Sequence, residues 1–123
     1  MPFLSGDDFM RLISVVDVML DPINFSGGNT SFDGFATGTP IVNRAGNFMR
    51  SRVTYAMYRQ MDITGGIADS ADDYAKKVVE LGRVSSLRDD MRSQILAAGD
   101  RLYDRREPVL EMADVLEAAS RAS

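Results

Sequence analysis

The chain has no cysteine and no histidine among its 123 residues. Without cysteine there are no disulfides and no thiolate chemistry, and without both residues the usual zinc sites are excluded. The commonest general base is missing as well. No apolar run approaches the ~20 residues a membrane-spanning helix needs. The start, Met1-Pro2-Phe3-Leu4-Ser5-Gly6-Asp7-Asp8, is acidic where a signal peptide would be basic. A cytoplasmic chain with no membrane partner is therefore expected. Lys and Arg number 14 against 18 Asp and Glu, a net charge of −4. The basic residues are scattered among acids, so no stripe forms for nucleic acid. Repeats, low-complexity tracts and linkers are lacking too.

What is there is ordinary in bulk, 45% apolar and 26% charged, which excludes disorder of the whole chain. A chain of this size suits one domain, residues 1–123, able to bury roughly two-thirds of its unfolded surface.

Along the chain, Ser5 and Asp8 resemble a helix cap with an acid in the first turn. Phe9, Leu12, Ile13 and Val16 follow at helical spacing, so residues 6–16 are expected as a short amphipathic helix. Val18-Met19-Leu20, closed by Asp21-Pro22, reads as a buried strand of a parallel sheet. Residues 22–29 form a loop, and 30–37 a short helix capped by Asn29 or Thr30 and ended by Gly38. Residues 39–43 read as the next strand, with Pro40 at its start. The spacing predicts a helix over 48–61 with Phe48, Val53, Ala56, Met57 and Met61 inward. Residues 63–68 hold at most one short strand. Ser70 caps a helix to about residue 81. A longer helix is expected over 84–103, with Leu87, Met91, Ile95, Leu96 and Leu102 inward. Pro108 sits near the first turn of a last helix. The alternation in the first half implies an α/β fold with a small parallel sheet and a helical C-terminal tail.

The stretch Ser26-Gly27-Gly28-Asn29-Thr30-Ser31-Phe32-Asp33 carries the chemistry. Gly27 and Gly28 let backbone approach a ligand with no side chain in the way. Asn29, Thr30 and Ser31 add N–H groups and short polar side chains at a helix start, an arrangement that suits a diphosphate. Asp33, one turn in, can accept hydrogen bonds from a ribose diol. The same residues also suit an ordinary loop and helix cap. Asp21 reads as a strand-end residue bracing the loop. Arg50, Arg52 and Arg59 read as a solvated helix face, and Arg88 and Arg92 with Asp89 and Asp90 as surface ion pairs.

Asp17-Val18-Met19-Leu20-Asp21-Pro22, Gly27-Gly28-Asn29-Thr30-Ser31-Phe32-Asp33, Gly38-Thr39-Pro40-Ile41-Val42 and Arg52-Val53 together resemble one family. It is the C-terminal part of O-linked N-acetylglucosamine transferases and their bacterial relatives with TPR repeats. Asp73-Tyr74, Val78, Leu81 and Arg88 follow the same pattern. The resemblance implies the second half of a Rossmann-like donor domain of the GT-B arrangement. It implies a UDP-sugar, UDP-N-acetylglucosamine in the best-known members, as donor substrate, with no cofactor and no metal. Gly27, Gly28, Asn29, Thr30 and Ser31 would meet phosphate, and Asp33 the ribose. A histidine of the family's loop is not present here, and Asn43-Arg44-Ala45-Gly46 stands where the family often has Thr-x-Pro-Gly. The family's uracil-binding residues, a phosphate-binding lysine and the acceptor domain lie upstream of the matched region.

The expectation is therefore a nucleotide-sugar-binding portion of a glycosyltransferase, inactive alone, with no catalytic residue of its own. The alternative is a non-catalytic relative acting as a structural or dimerising interaction module. A homodimer is expected through the sheet edge at residues 18–20 or an apolar helix face.

Overall fold

A computed structural model describes residues 4–122. The order is α1 (Gly6–Val15), β1 (Met19–Leu20), α2 (Asn29–Ala36), β2 (Ile41–Val42), α3 (Val53–Met61), α4 (Ala71–Arg83), α5 (Ser85–Ala97) and α6 (Glu107–Arg121). Short 3-10 turns at Met49–Ser51 and Gly99–Arg101 precede α3 and follow α5. No helix of the described residues is long and apolar enough to cross a membrane.

The sheet is a parallel pair, with Met19 opposite Ile41 and Leu20 opposite Val42. Met19 N–H donates to Pro40 O at 2.8 Å and Asp21 N–H to Val42 O at 2.9 Å. The other edge of β2 is closed by a side chain. The Tyr58 hydroxyl donates to Ile41 O at 2.7 Å and accepts from Ile41 N–H at 2.9 Å. It thus stands in for a neighbouring strand's peptide, and burial pushes its pKa well up. Two residues later the edge meets backbone again: Asn43 N–H donates to Gly66 O and Ala68 N–H to Asn43 O, both at 2.8 Å. A Cβ on Gly66 would run into the Tyr58 hydroxyl and Ile41 O, which explains glycine there.

Phe35, Ile41, Val42, Met57, Tyr58, Met61, Ile63, Leu81, Met91 and Ile95 form the core, with Phe35 and Tyr58 packed edge to face at 4.7 Å. Helices α1 and α5 lie against α2, and α4 packs on α5 and β2. Gly38, at φ 74°, turns the chain from α2 into β2.

Several expectations need correction. β1 is not buried: Met19 is half-buried and Leu20 is 56% exposed. The single helix over 48–61 is a 3-10 turn followed by α3. The break takes Phe48 out of helical phase with α3, and it is exposed; within α3, Ala56 is exposed while Met57 and Met61 are buried. The helix expected over 84–103 ends at Ala97, and within it Met91 and Ile95 are buried whereas Leu87 and Leu96 are exposed. Arg88 and Arg92 do not pair with Asp89 and Asp90. Arg88 reaches Asp17 at 3.2 Å and Arg92 reaches Ser14 O at 3.4 Å, tying α5 to α1 and the approach to β1.

Candidate functional site

The loop between β1 and α2 is held from beneath by a buried carboxylate. Asp21, at the end of β1, is 2% exposed. Its Oδ1 accepts Gly27 N–H at 2.7 Å, and its Oδ2 accepts the Ser26 hydroxyl at 2.7 Å and Asn43 Nδ2 at 2.5 Å. No cation pairs with it among the described residues; these charge-assisted hydrogen bonds keep the buried carboxylate solvated. The bracing role expected of Asp21 is what the geometry shows.

A hydroxyl relay continues to α3. Ser26 Oγ accepts Thr54 N–H at 3.0 Å and lies 2.9 Å from Thr54 Oγ1, which is 2.8 Å from Ser31 Oγ. The one Ser26 proton goes to the carboxylate, so the Thr54 proton serves a serine. Ser26 N–H also donates to Arg50 O at 2.8 Å. The loop is thus pinned to β1, β2 and the start of α3. Asn43 Oδ1, buried beside Asp21, has no partner among the described residues. Tyr74 donates to Asp21 O at 3.1 Å. Its pKa is raised, chiefly by burial and then by the Asp21 charge.

Five of the six predicted residues divide into two groups. Gly27 and Ser31 face inward. A Cβ on Gly27 would lie 2.5 Å from Ser31 Oγ, and Ser31 is buried with its hydroxyl on Thr54. Ser31 N–H is also spent, on Gly28 O at 3.0 Å. The Ser31 side chain is therefore part of the brace, not of an open phosphate surface. Gly28, Asn29 and Thr30 face solvent. Gly28, not Asn29 or Thr30, is the N-cap, and no side chain caps the helix. The N–H groups of Gly28, Asn29 and Thr30 have no protein partner among the described residues. The first turn of α2 contains no acid. Nothing lies within 4 Å of a Cβ placed on Gly28, so the approach is open. The result is three outward N–H groups at the positive end of a helix dipole, on a rigid base.

Asp33 is half-buried and carries no hydrogen bond or ion pair on its carboxylate among the described residues. It is close enough to Tyr103 to affect it. The Tyr103 pKa is pushed up to about 12, by burial first and the Asp33 charge second. Tyr103 donates to Phe32 O, and its ring meets that of Phe32 at 5.9 Å. Thr54 and Asn43 were not legible as site residues, and Ser26 was legible only as the first residue of the loop. Their partners lie up to 28 residues away, and no local pattern marks them.

Arg50, Arg52 and Arg59 are exposed, as expected of a solvated face. Arg50 lies over the Phe48 ring and Arg52 over the Tyr55 ring, each at 4.7 Å. Arg52 also donates to Gly46 O at 2.9 Å, bracing the turn after β2.

Comparison with known proteins gives this geometry a context. A model of the family described as glycosyl transferase family 41 matches residues 3–109. A Solanum lycopersicum protein named as a probable UDP-N-acetylglucosamine–peptide N-acetylglucosaminyltransferase, SPINDLY, is 24% identical over 93 residues. That match covers 72% of this chain and 10% of that protein. The structure of a Thermobaculum terrenum O-GlcNAc transferase mutant superposes with a TM-score of 0.82 at 20% identity. It covers 98% of this chain and 24% of that one. The chain therefore spans only a small part of the proteins it matches, and its fold is the corresponding part of the O-GlcNAc transferase GT-B fold. By the extent of the family match, the chain belongs to glycosyl transferase family 41.

Proposed function

We propose that the start of α2 holds the diphosphate of a nucleotide sugar, a UDP-sugar, as the donor-binding portion of a glycosyltransferase. One observation carries the reading: the free N–H groups of Gly28, Asn29 and Thr30, on a loop fixed by Asp21. Dianionic phosphate gains from both the N–H groups and the helix dipole, so no metal is needed to neutralise it. Asp33, whose carboxylate is not engaged by protein hydrogen bonds, accepts from the ribose hydroxyls. Ser31 contributes through the relay to Thr54 and makes no phosphate contact with its side chain. The names of the matched relatives, both N-acetylglucosamine transferases, favour UDP-N-acetylglucosamine as donor.

Asp33 is the one ionisable side chain among the six candidates, and its proposed work is binding. In this reading the chain positions the donor, and proton transfer at the acceptor belongs to groups outside it. A UDP titration followed by backbone amide shifts tests the assignment. Gly28, Asn29 and Thr30 amides should move most. Gly28→Trp should abolish the shifts, and Asp33→Ala should weaken UDP while leaving inorganic pyrophosphate unaffected. Absence of any loop shift at millimolar UDP would overturn the proposal. It would favour the second reading, an interaction module, for which the exposed apolar side chains of α6 are the motivating observation.

A further inference from the structure

The outward N–H groups at the start of α2 are bracketed by two hydroxyls, and both hydroxyls end on one side chain. Ser26 stands before the open stretch and Ser31 just after it. Ser26 Oγ lies 2.9 Å and Ser31 Oγ 2.8 Å from the Thr54 hydroxyl oxygen. All three residues are buried, where hydrogen bonds are stronger and costly to break.

Thr54 is the second residue of α3. Its N–H, a donor that a helix start leaves without an intrahelical partner, goes to Ser26 Oγ at 3.0 Å. Ser26 thus caps α3 from across the fold, where the residue preceding the helix supplies no side-chain cap. Arg50 O accepts Ser26 N–H at 2.8 Å, so Ser26 is held by its backbone and by its hydroxyl. Neither α2 nor α3 has an acid in its first turn. Two positive helix ends therefore meet at the loop, and Thr54 joins them.

We propose that Thr54 is a positioning residue for the anion site at the start of α2. It clamps both ends of the loop, so that the N–H groups of Gly28, Asn29 and Thr30 keep one spacing. The inference takes its ligand from the phosphate reading of those groups, whereas the clamp is a property of the unliganded chain. The Asp21 carboxylate holds the loop at Ser26 and Gly27, before the open stretch. The side chain beyond the stretch, Ser31, is held by the Thr54 hydroxyl. Without that hydroxyl, Ser31 Oγ is left buried and unpaired, and the first turn of α2 must shift to satisfy it. Thr54 is buried and acts on an anion only through the loop.

Thr54→Val keeps the shape and removes the hydroxyl, and Thr54→Ser keeps the hydroxyl. In the unliganded chain, the bonded amides of Gly27 and Ser31 should exchange with solvent about tenfold faster in Thr54→Val than in wild type. In Thr54→Ser they should stay within about twofold of wild type. Affinities for inorganic pyrophosphate and for UDP, measured well below the melting temperature, should fall together by about tenfold in Thr54→Val and recover in Thr54→Ser. Leu81→Ala, which opens the core in the last turns of α4, should lower the melting temperature and leave both affinities as in wild type. Ser31→Ala removes the same bond from the α2 side and should show the same direction of change, which keeps the test open were Thr54→Val not to fold. Exchange and affinity unchanged in Thr54→Val, no rescue by Thr54→Ser, or an equal loss of affinity in Leu81→Ala would each overturn the proposal. A wild type that binds neither anion overturns the phosphate reading alone; the clamp then stands or falls on the exchange of Gly27 and Ser31.

Discussion

Helices α2 and α4 both begin at the surface, but their first turns are built in opposite ways. At α4, Ser70 Oγ accepts Asp73 N–H at 3.0 Å, Asp73 accepts Asp69 N–H at 3.0 Å, and Asp72 and Asp73 put two carboxylates in the first turn. The positive end of that helix is already answered by its own sequence. At α2 a glycine is the cap, no side chain caps, and no acid lies in the first turn. Polar effort is spent underneath, where Asp21, Ser26, Thr54 and Ser31 hold the loop from inside. Helix α4 satisfies itself, whereas α2 is supported from behind and left open in front. That division separates a structural helix start from one suited to an outside anion.

The largest test of this contrast removes the support. Asp21→Ala strips the partner from Gly27 N–H, the Ser26 hydroxyl and Asn43 Nδ2 at once, in a buried place. Loss of buried hydrogen bonds to a charged group costs about 1.5–3 kcal/mol each at most, and relaxation shares the loss, so about 3–4 kcal/mol in total is expected. Urea unfolding should show it. Asp73→Ala at α4, where the groups are exposed, should cost about 1 kcal/mol or less. Equal losses would mean that the α2 loop is not braced from within.

The paired glycines give the next test. Gly27→Ala places a methyl against Ser31 Oγ and must disturb the Thr54 bond, an overpacking cost of about 1–3 kcal/mol. Gly28→Ala meets open space and should stay within about 0.5 kcal/mol of wild type. Thermal melts of the two variants should therefore separate, though the residues are neighbours in the same Gly-Gly pair.

The starts of α1 and α4 were legible because capping is local: Ser5 with Asp8, and Ser70 with Asp73, lie within one turn. The open, exposed start of α2 at Gly28, Asn29 and Thr30 was legible for the same reason, and Asp21 as a brace followed from its place after a strand. The burial of Ser31 was not legible, because its hydroxyl answers to Thr54, 23 residues on, a partner no local pattern reveals. No strand pairs with the far edge of β2 at Ile41 because the Tyr58 hydroxyl takes the place of a further strand's peptide. Phe48 points outward because a 3-10 turn resets the helical phase before α3, and periodicity assumes an unbroken helix. Local chemistry could be read from the sequence; which face each residue presents depended on tertiary contacts.

Capping variants sharpen the contrast at about 1 kcal/mol. Ser70→Ala removes a true cap and should cost that much. Asn29→Ala removes no cap bond, sits within the first turn, and should leave stability unchanged or slightly raised, since alanine is the better helix former. The same experiment on both helices, read by denaturant midpoint at constant m-value, tells whether Asn29 caps in solution.

The smallest stability effect is the most informative about function. Thr30 is exposed in the first turn of α2, where no acid stands. Thr30→Glu should stabilise the unliganded chain by about 0.3–1 kcal/mol, because a carboxylate near the N-terminus complements the dipole that α4 already satisfies with Asp72 and Asp73. The same carboxylate occupies the field proposed for phosphate, so affinity for UDP or pyrophosphate should fall by about tenfold, or 1.4 kcal/mol. Stability and binding then move in opposite directions from one substitution. A melting temperature that rises while UDP affinity holds would mean that the dipole is free but the donor sits elsewhere. A fall in both would mean that the α2 start is less open than its unpartnered N–H groups indicate.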